Sequence, residues 1–197
     1  MSDKDKKRRL YLASASPRRS FILEKYGVPF TIIKNLLEKE PPVDVSKPIA
    51  DGVLAIASKK AVLSPQFYNG LVLGVDTIVV HDNQVMGKPI SIDHAIEGLV
   101  KLSGTHHEVL TAYCLVDTIS QVKISGVVTT SVLFKSVNKR DIIRYCKGFN
   151  PLDKAGGYDI QEVLETFINK IDGSFYNVVG LPIERLQQDL GNYKLIG

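Results

Sequence analysis

Leu10-Tyr11-Leu12-Ala13-Ser14-Ala15-Ser16-Pro17-Arg18-Arg19 decides the fold class, because within it an apolar strand pattern gives way to a helix start. Ser16 has the side-chain type of an N-cap, and Pro17 suits the first helical position. A helix N-terminus directs free N–H groups and a positive dipole end outward, which favours anions. Arg18 and Arg19 add planar donor forks suited to phosphate. By itself the stretch fits a phosphate grip and equally a capped helix end with solvated arginines. The segments around it have to decide.

Working outward, strands and helices alternate. A strand is expected over 9–13 and a helix over 17–26, with Gly27 just past its end and Pro29 blocking continuation. Residues 30–33 read as a strand, the proline-rich 38–48 as a loop able to hold acidic groups, and 49–63 as a helix. Residues 71–80 form a near-continuous β-prone run, the pattern of a strand buried on both faces. Asp82-Asn83 is turn chemistry before a short return strand near Val85. Ser91 caps a helix through Leu102, 109–119 and 122–134 read as a hairpin, and 138–146 as a short helix. Residues 148–162 read as a loop. A strand pair is expected near 167–171 and 175–179, turning at Asp172-Gly173, before Pro182 opens a final helix.

Composition bounds the function classes. The chain has 197 residues, 44% hydrophobic and 23% charged, the balance of an ordinary globular protein. The longest apolar run is broken by Asp76 and is too short to span a bilayer, so no membrane association is expected. The polar N-terminus lacks an apolar signal region, and Cys114 and Cys146 lack metal-like spacing. Both features point to a cytoplasmic protein with reduced thiols. Lys4, Lys6, Lys7, Arg8 and Arg9 against Asp3 and Asp5 account for three of the four net positive charges. Residues 1–8 therefore read as a basic, solvated N-terminal tail and 9–197 as one domain. No basic stripe with interleaved aromatics follows, so no nucleic-acid partner is expected.

Four further positions carry chemistry. Asp76 lies inside Val72-Leu73-Gly74-Val75-Asp76-Thr77-Ile78-Val79-Val80. A buried carboxylate must find a cation, a metal or a cluster of donors, since an isolated buried charge costs several kcal/mol or more. It serves either a ligand crevice or a loop that needs an acceptor. In Gly87-Lys88-Pro89 a lysine follows a permissive glycine and precedes a rigid proline, a placement that suits phosphate or plain solvent. In Asp153-Lys154-Ala155-Gly156-Gly157-Tyr158-Asp159-Ile160-Gln161, paired glycines permit a sharp turn, and Gln161 can both donate and accept, as reading a base edge requires. Gly173 to Pro182 leads into a second helix start. His106 and His107 are adjacent in a strand, point to opposite faces and would not jointly chelate one ion. Packing or hydrogen bonding is the expected role of both, with service to the site the alternative for His107.

Taken together, these segments resemble the Maf family of nucleoside triphosphate pyrophosphatases. The resemblance covers about residues 9–186 and rests on motifs in the family's order. These are the segment from Leu12 to Arg19, Ser58-Lys59-Lys60-Ala61, Gly74-Val75-Asp76-Thr77, Gly87-Lys88-Pro89, and Leu102-Ser103-Gly104 with His107. They continue with Asp153 to Tyr158, Ile160-Gln161 and Gly180-Leu181-Pro182. The resemblance implies a mixed α/β fold like that of the inosine triphosphatases, a mixed sheet with flanking helices and a cleft between two lobes. It implies hydrolysis of a nucleoside triphosphate to the monophosphate and pyrophosphate, assisted by Mg²⁺ or Mn²⁺, in a homodimer, with residues 9–197 as the catalytic domain.

By motif position, Asp76 would be the proton acceptor that activates water. Ser14, Ser16, Arg19, Lys60 and Lys88 would hold the substrate's phosphates. Arg18, Thr77 and Gln161 match the branch resembling dTTP/UTP pyrophosphatases, whereas the 7-methyl-GTP branch tends to carry tryptophan for the first arginine and glutamate for the glutamine. The family's acidic pair after the second strand is split here, as Leu36-Leu37-Glu38-Lys39-Glu40. Glu38 is assigned with Asp76 to the metal, and Glu40 could take that place after a small loop shift. Two alternatives accompany this reading. One is a nucleotide-sensing regulator of septum formation without catalysis, which the split acidic pair would suit. The other is the same enzyme acting on modified purine nucleotides.

Overall fold

A computed structural model describes residues 7–34, 36–37, 41–43, 46–63 and 68–197. The assignment of Glu38, like its alternative Glu40, falls outside the described residues. The chain divides into two compact units. The first comprises Met1–Asp76, Thr111–Val128 and Gly180–Gly197, and the second Thr77–Leu110 and Thr129–Val179.

In the first unit, β1 (Lys7–Arg8) pairs in parallel with β9 (Lys194–Leu195). The tail is therefore not solvated to its end. The Arg8 guanidinium is buried, and its Nε donates to Asp117 Oδ1 at 3.0 Å. Burial alone would raise the Asp117 pKa. Hydrogen bonds from Arg8, Ser120 and the Ile119 and Ser120 amides outweigh that and hold it below the usual carboxylate range.

One seven-stranded sheet runs β3 (Thr31–Ile32), β2 (Leu10–Leu12), β4 (Leu71–His81), β6 (His106–Asp117), β7 (Lys123–Phe134) and β8 (Ile168–Asp172), with β5 (Gln84–Met86) beside β4. β2 is parallel to both neighbours, with Leu12 beside Ile32 and Leu73. α1 (Pro17–Lys25) follows β2, and Gly27 takes φ 64°, the left-handed geometry that ends a helix. α2 (Ile49–Val62) precedes β4, and α7 (Ile183–Leu190) lies near the C-terminus. Leu10, Leu12, Leu23, Val53, Leu71 and Leu73 are fully or almost fully buried in this unit's core.

In the second unit, β5 (Gln84–Met86) folds back on β4 through Asp82 and Asn83, both at positive φ. α3 (Ile92–Leu102) starts where Ser91 Oγ accepts the His94 N–H at 3.1 Å. α4 (Lys139–Gly148) is capped in the same way by Asn138. The expected loop over 148–162 contains a 3₁₀ turn (Ala155–Gly157) and the short α5 (Ile160–Val163), capped by Asp159.

The expected strand over 175–179 is a helix, α6 (Phe175–Val179). Ser174 Oγ accepts the Asn177 N–H, and the buried Asn177 side chain donates to Val109 O and Thr130 Oγ1 at 2.9 and 3.0 Å. The local Ser174 bond and the two tertiary bonds of Asn177 together override a β-prone composition. β8 (Ile168–Asp172) pairs antiparallel with β7 instead, Asp172 opposite Ser131. The architecture is thus mixed α/β, with a mixed sheet and flanking helices. Cys114 and Cys146 are both free and buried. Among the described residues, no helix is long and apolar enough to cross a membrane.

Candidate active site

The first unit builds its polar centre on β4. Side chains alternate along a strand, so Gly74 and Asp76 share one face. A Cβ on Gly74 would stand 2.2 Å from the Ala57 carbonyl oxygen and 2.5 Å from the Ala61 nitrogen, both backbone atoms of α2. The missing side chain lets α2 lie directly against the strand. Lys60, between Ala57 and Ala61 in sequence, then reaches Asp76. Its Nζ donates to Oδ1 at 2.7 Å and to Val75 O at 3.4 Å. Lys60 is 3% and Asp76 6% exposed, so this is the cation that the buried carboxylate requires. The bond is short and charge-assisted.

The strand-to-helix turn lies on the neighbouring strand. The Ala13 N–H donates to Leu73 O, so the chain leaving β2 starts beside β4 and runs in the same direction. In parallel sheets the carboxyl ends of strands are where ligands bind. Ser16 occupies the N-cap position as expected, but its side chain makes no capping bond. The hydroxyl that works here belongs to Ser14, which is buried and accepts from Arg19 Nη1 at 2.8 Å and from the Ser16 N–H at 3.3 Å. Arg19 Nε donates to Gly180 O at 3.0 Å. Arg19 is thereby clamped between two of the motif segments, Leu12 to Arg19 and Gly180 to Pro182. Arg18 is half-buried in the first turn of α1.

The second unit carries Thr77, Lys88 and Gln161. Thr77 follows Asp76 on β4 and is half-buried, whereas Lys88 and Gln161 are exposed. The Gly156 N–H donates to Gly87 O at 3.1 Å, joining the Lys88 turn to the segment that carries Gln161. Gln161 sits in the first turn of α5, its own N–H given to Asp159 Oδ1 at 3.1 Å.

His107 and His106 do face opposite ways, the first buried and the second exposed. His107 Nε2 is 2.7 Å from the Tyr158 hydroxyl. Burial, with help from nearby His81 and His106, lowers the His107 pKa to about 3, so its ring is neutral. Burial likewise pushes the Tyr158 phenol well above its usual range.

Three contacts were not read from sequence: Gly74 as the docking point of α2, the Gly180 carbonyl as an acceptor from Arg19, and Tyr158 as the partner of His107. The first had a signal. A glycine two residues before a strand aspartate, facing an Ala57-x-x-Lys60-Ala61 helix, is a close-packing pattern. The other two depend on contacts 161 and 51 residues apart.

Among the described residues no group of three or more His, Cys, Asp or Glu side chains could hold a metal ion. Asp76 supplies a carboxylate to this centre. That donor set does not form a closed cage. It fits a cation that arrives with the substrate, because Mg²⁺ commonly takes one or two carboxylates and fills its shell with phosphate oxygens and water.

Comparison with known proteins agrees with the motifs. Residues 9–193 match the family profile described as Maf-like protein. A protein of Alkaliphilus oremlandii (strain OhILAs) named dTTP/UTP pyrophosphatase is 37% identical over 186 residues, covering 94% of this chain and 96% of its own. One of Escherichia coli O6:K15:H31 with the same name is 40% identical over 190 residues, covering 95% and 94%. A solved nucleoside-triphosphatase / dITP/XTP pyrophosphatase from Mycobacterium abscessus aligns at TM-score 0.40 and 12% identity, over 66% of this chain and 75% of that one. That last likeness is too slight to bear on the fold, which rests on the strand order itself. With the family's profile matched from Arg9 to Tyr193 and relatives alike over nearly their whole length, the chain belongs to the Maf family.

Proposed function

We propose that the chain is a nucleoside triphosphate pyrophosphatase that hydrolyses dTTP and UTP to the monophosphate and pyrophosphate, clearing nucleotide pools. The observation that carries the reading is the buried Lys60–Asp76 pair at 2.7 Å, on the strand beside the Ser14–Arg19 turn. The names of the relatives support the substrate class.

In this reading Asp76 accepts a proton from water. The water oxygen forms a bond to one phosphorus of the α–β anhydride, the P–O bond from that phosphorus to the bridging oxygen breaks, and the phosphate on the other side leaves with that oxygen, so that monophosphate and pyrophosphate separate. Lys60 holds the carboxylate oriented for that transfer. Phosphoryl chemistry of this kind depends on positioning and charge neutralisation. Ser14, Ser16, Arg19, Lys60 and Lys88 meet the phosphates, and Arg18, Thr77 and Gln161 select the base. A divalent cation, Mg²⁺ or Mn²⁺, would be held by Asp76 with Glu38 and would neutralise phosphate charge when bound. The same reading includes a homodimer and a cytoplasmic location, which light scattering and fractionation check.

A panel of dTTP, UTP and purine triphosphates, with and without Mg²⁺, tests the reading. Monophosphate and pyrophosphate from dTTP or UTP are expected, with near-complete loss in Asp76→Asn protein that still unfolds cooperatively. Release of orthophosphate, or full activity in that variant, overturns it.

A further inference from the structure

We infer that His107 is a positioning residue for Lys88 and Gln161, acting through its buried hydrogen bond to Tyr158. Lys88 and Gln161 are exposed, so the backbone that carries them decides where they stand. That backbone converges on one turn. Gly156 and Gly157 take φ 70° and 77°, a geometry that other residues rarely adopt. A Cβ on Gly156 would lie 2.9 Å from Val79 Cγ2, and one on Gly157 3.3 Å from Pro89 Cγ. The turn is therefore pressed onto β4 and onto the proline that follows Lys88. Its Gly156 N–H holds the Gly87 carbonyl, the peptide immediately before Lys88.

Tyr158 fixes the other side of the same turn. Its ring makes edge contacts with His107 and Phe134, at centroid distances of 5.5 and 5.1 Å. Its hydroxyl meets His107 Nε2 at 2.7 Å. The next residue, Asp159, gives its N–H to the Tyr145 hydroxyl at 2.9 Å and accepts the Gln161 N–H on its carboxylate. One anchor on β6 thus sets the turn from which Gly87 is held on one side and Gln161 on the other. An imidazole so placed does more than fill space, because a buried apolar ring would pack there without specifying the height of the Tyr158 hydroxyl.

The kinetic part of this inference rests on the proposed pyrophosphatase activity; the coupling itself does not. Tyr158→Phe keeps the ring and removes only the hydroxyl. Amide exchange at Gly156 and Gln161 should quicken at least tenfold, while amides of α3 and β7 keep their rates. KM for dTTP and UTP should rise about tenfold with kcat within twofold. His107→Gln, whose side-chain amide reaches the same point, should restore both readouts relative to His107→Leu. Unchanged exchange at Gly156 and Gln161, or equal quickening throughout α3 and β7, overturns the coupling. A wild-type protein that turns over neither nucleotide overturns the activity, and leaves the exchange result to judge the coupling alone.

Discussion

His107 gives the chain a stability that depends on pH in a direction fixed by its surroundings. The ring is 2% exposed, lies edge-on to Phe134 with centroids 4.9 Å apart, and its Nδ1 has no hydrogen-bond partner among the described residues. Burial first, and then the nearby His81 and His106, lower its pKa from 6.5 to about 3. The folded protein keeps the ring neutral, whereas the unfolded chain takes up a proton near pH 6.5. Between those values the unfolded state binds the extra proton, so stability falls as pH falls. Well above pH 6.5 the ring is neutral in both states and the effect disappears. At pH 5 the unfolded state has gained about 1.5 pH units of protonation free energy, or about 2 kcal/mol.

The assay is urea unfolding of the wild type and His107→Gln at pH 7.5 and pH 5.0. His81, His94 and His106 remain in both proteins. The wild type should lose about 2 kcal/mol more than the variant across that interval. Equal losses would refute the reasoning, as would a His107 ring resonance that titrates near pH 6.

Three other outcomes follow from the packing. Gly74→Ala forces a methyl against two backbone atoms of α2, and should cost about 3 kcal/mol by thermal unfolding while disturbing the Lys60–Asp76 bond. Lys60→Met leaves the buried Asp76 carboxylate without this cation. It should cost about 3–5 kcal/mol, and pairing it with Asp76→Asn should cost less than the sum of the two changes in a double-mutant cycle. Arg8→Leu should cost about 3 kcal/mol at neutral pH and raise the Asp117 pKa. Because Asp117 is held low in the folded state, its contribution is present above the unfolded value near 3.8 and disappears as acid protonates it, so the two proteins should converge at low pH.

Much of this was legible in residue order. The strand ending at Leu12 and the helix opening at Pro17 follow from local chemistry, as do the Ser91 and Asn138 caps and the turn at Asp82-Asn83. Asp76 announced itself because a carboxylate in an apolar run has to be compensated. The helix at Phe175–Val179 was not legible, since the Asn177 side-chain bonds that hold it go to Val109 and Thr130, far away in sequence. Nor could composition say that Arg8 leaves the charged tail to meet Asp117.

The sequence by itself determined the alternation of elements and the family, because periodicity, caps and motif spacing are local. Only the tertiary structure decided which cation meets Asp76 and which hydroxyl holds Arg19. It also decided that the Gly156-Gly157 turn is anchored from His107. Those choices depend on how closely α2 approaches β4 and on hydrogen bonds between residues far apart in the chain, and hydrogen bonds form or fail within a few tenths of an ångström.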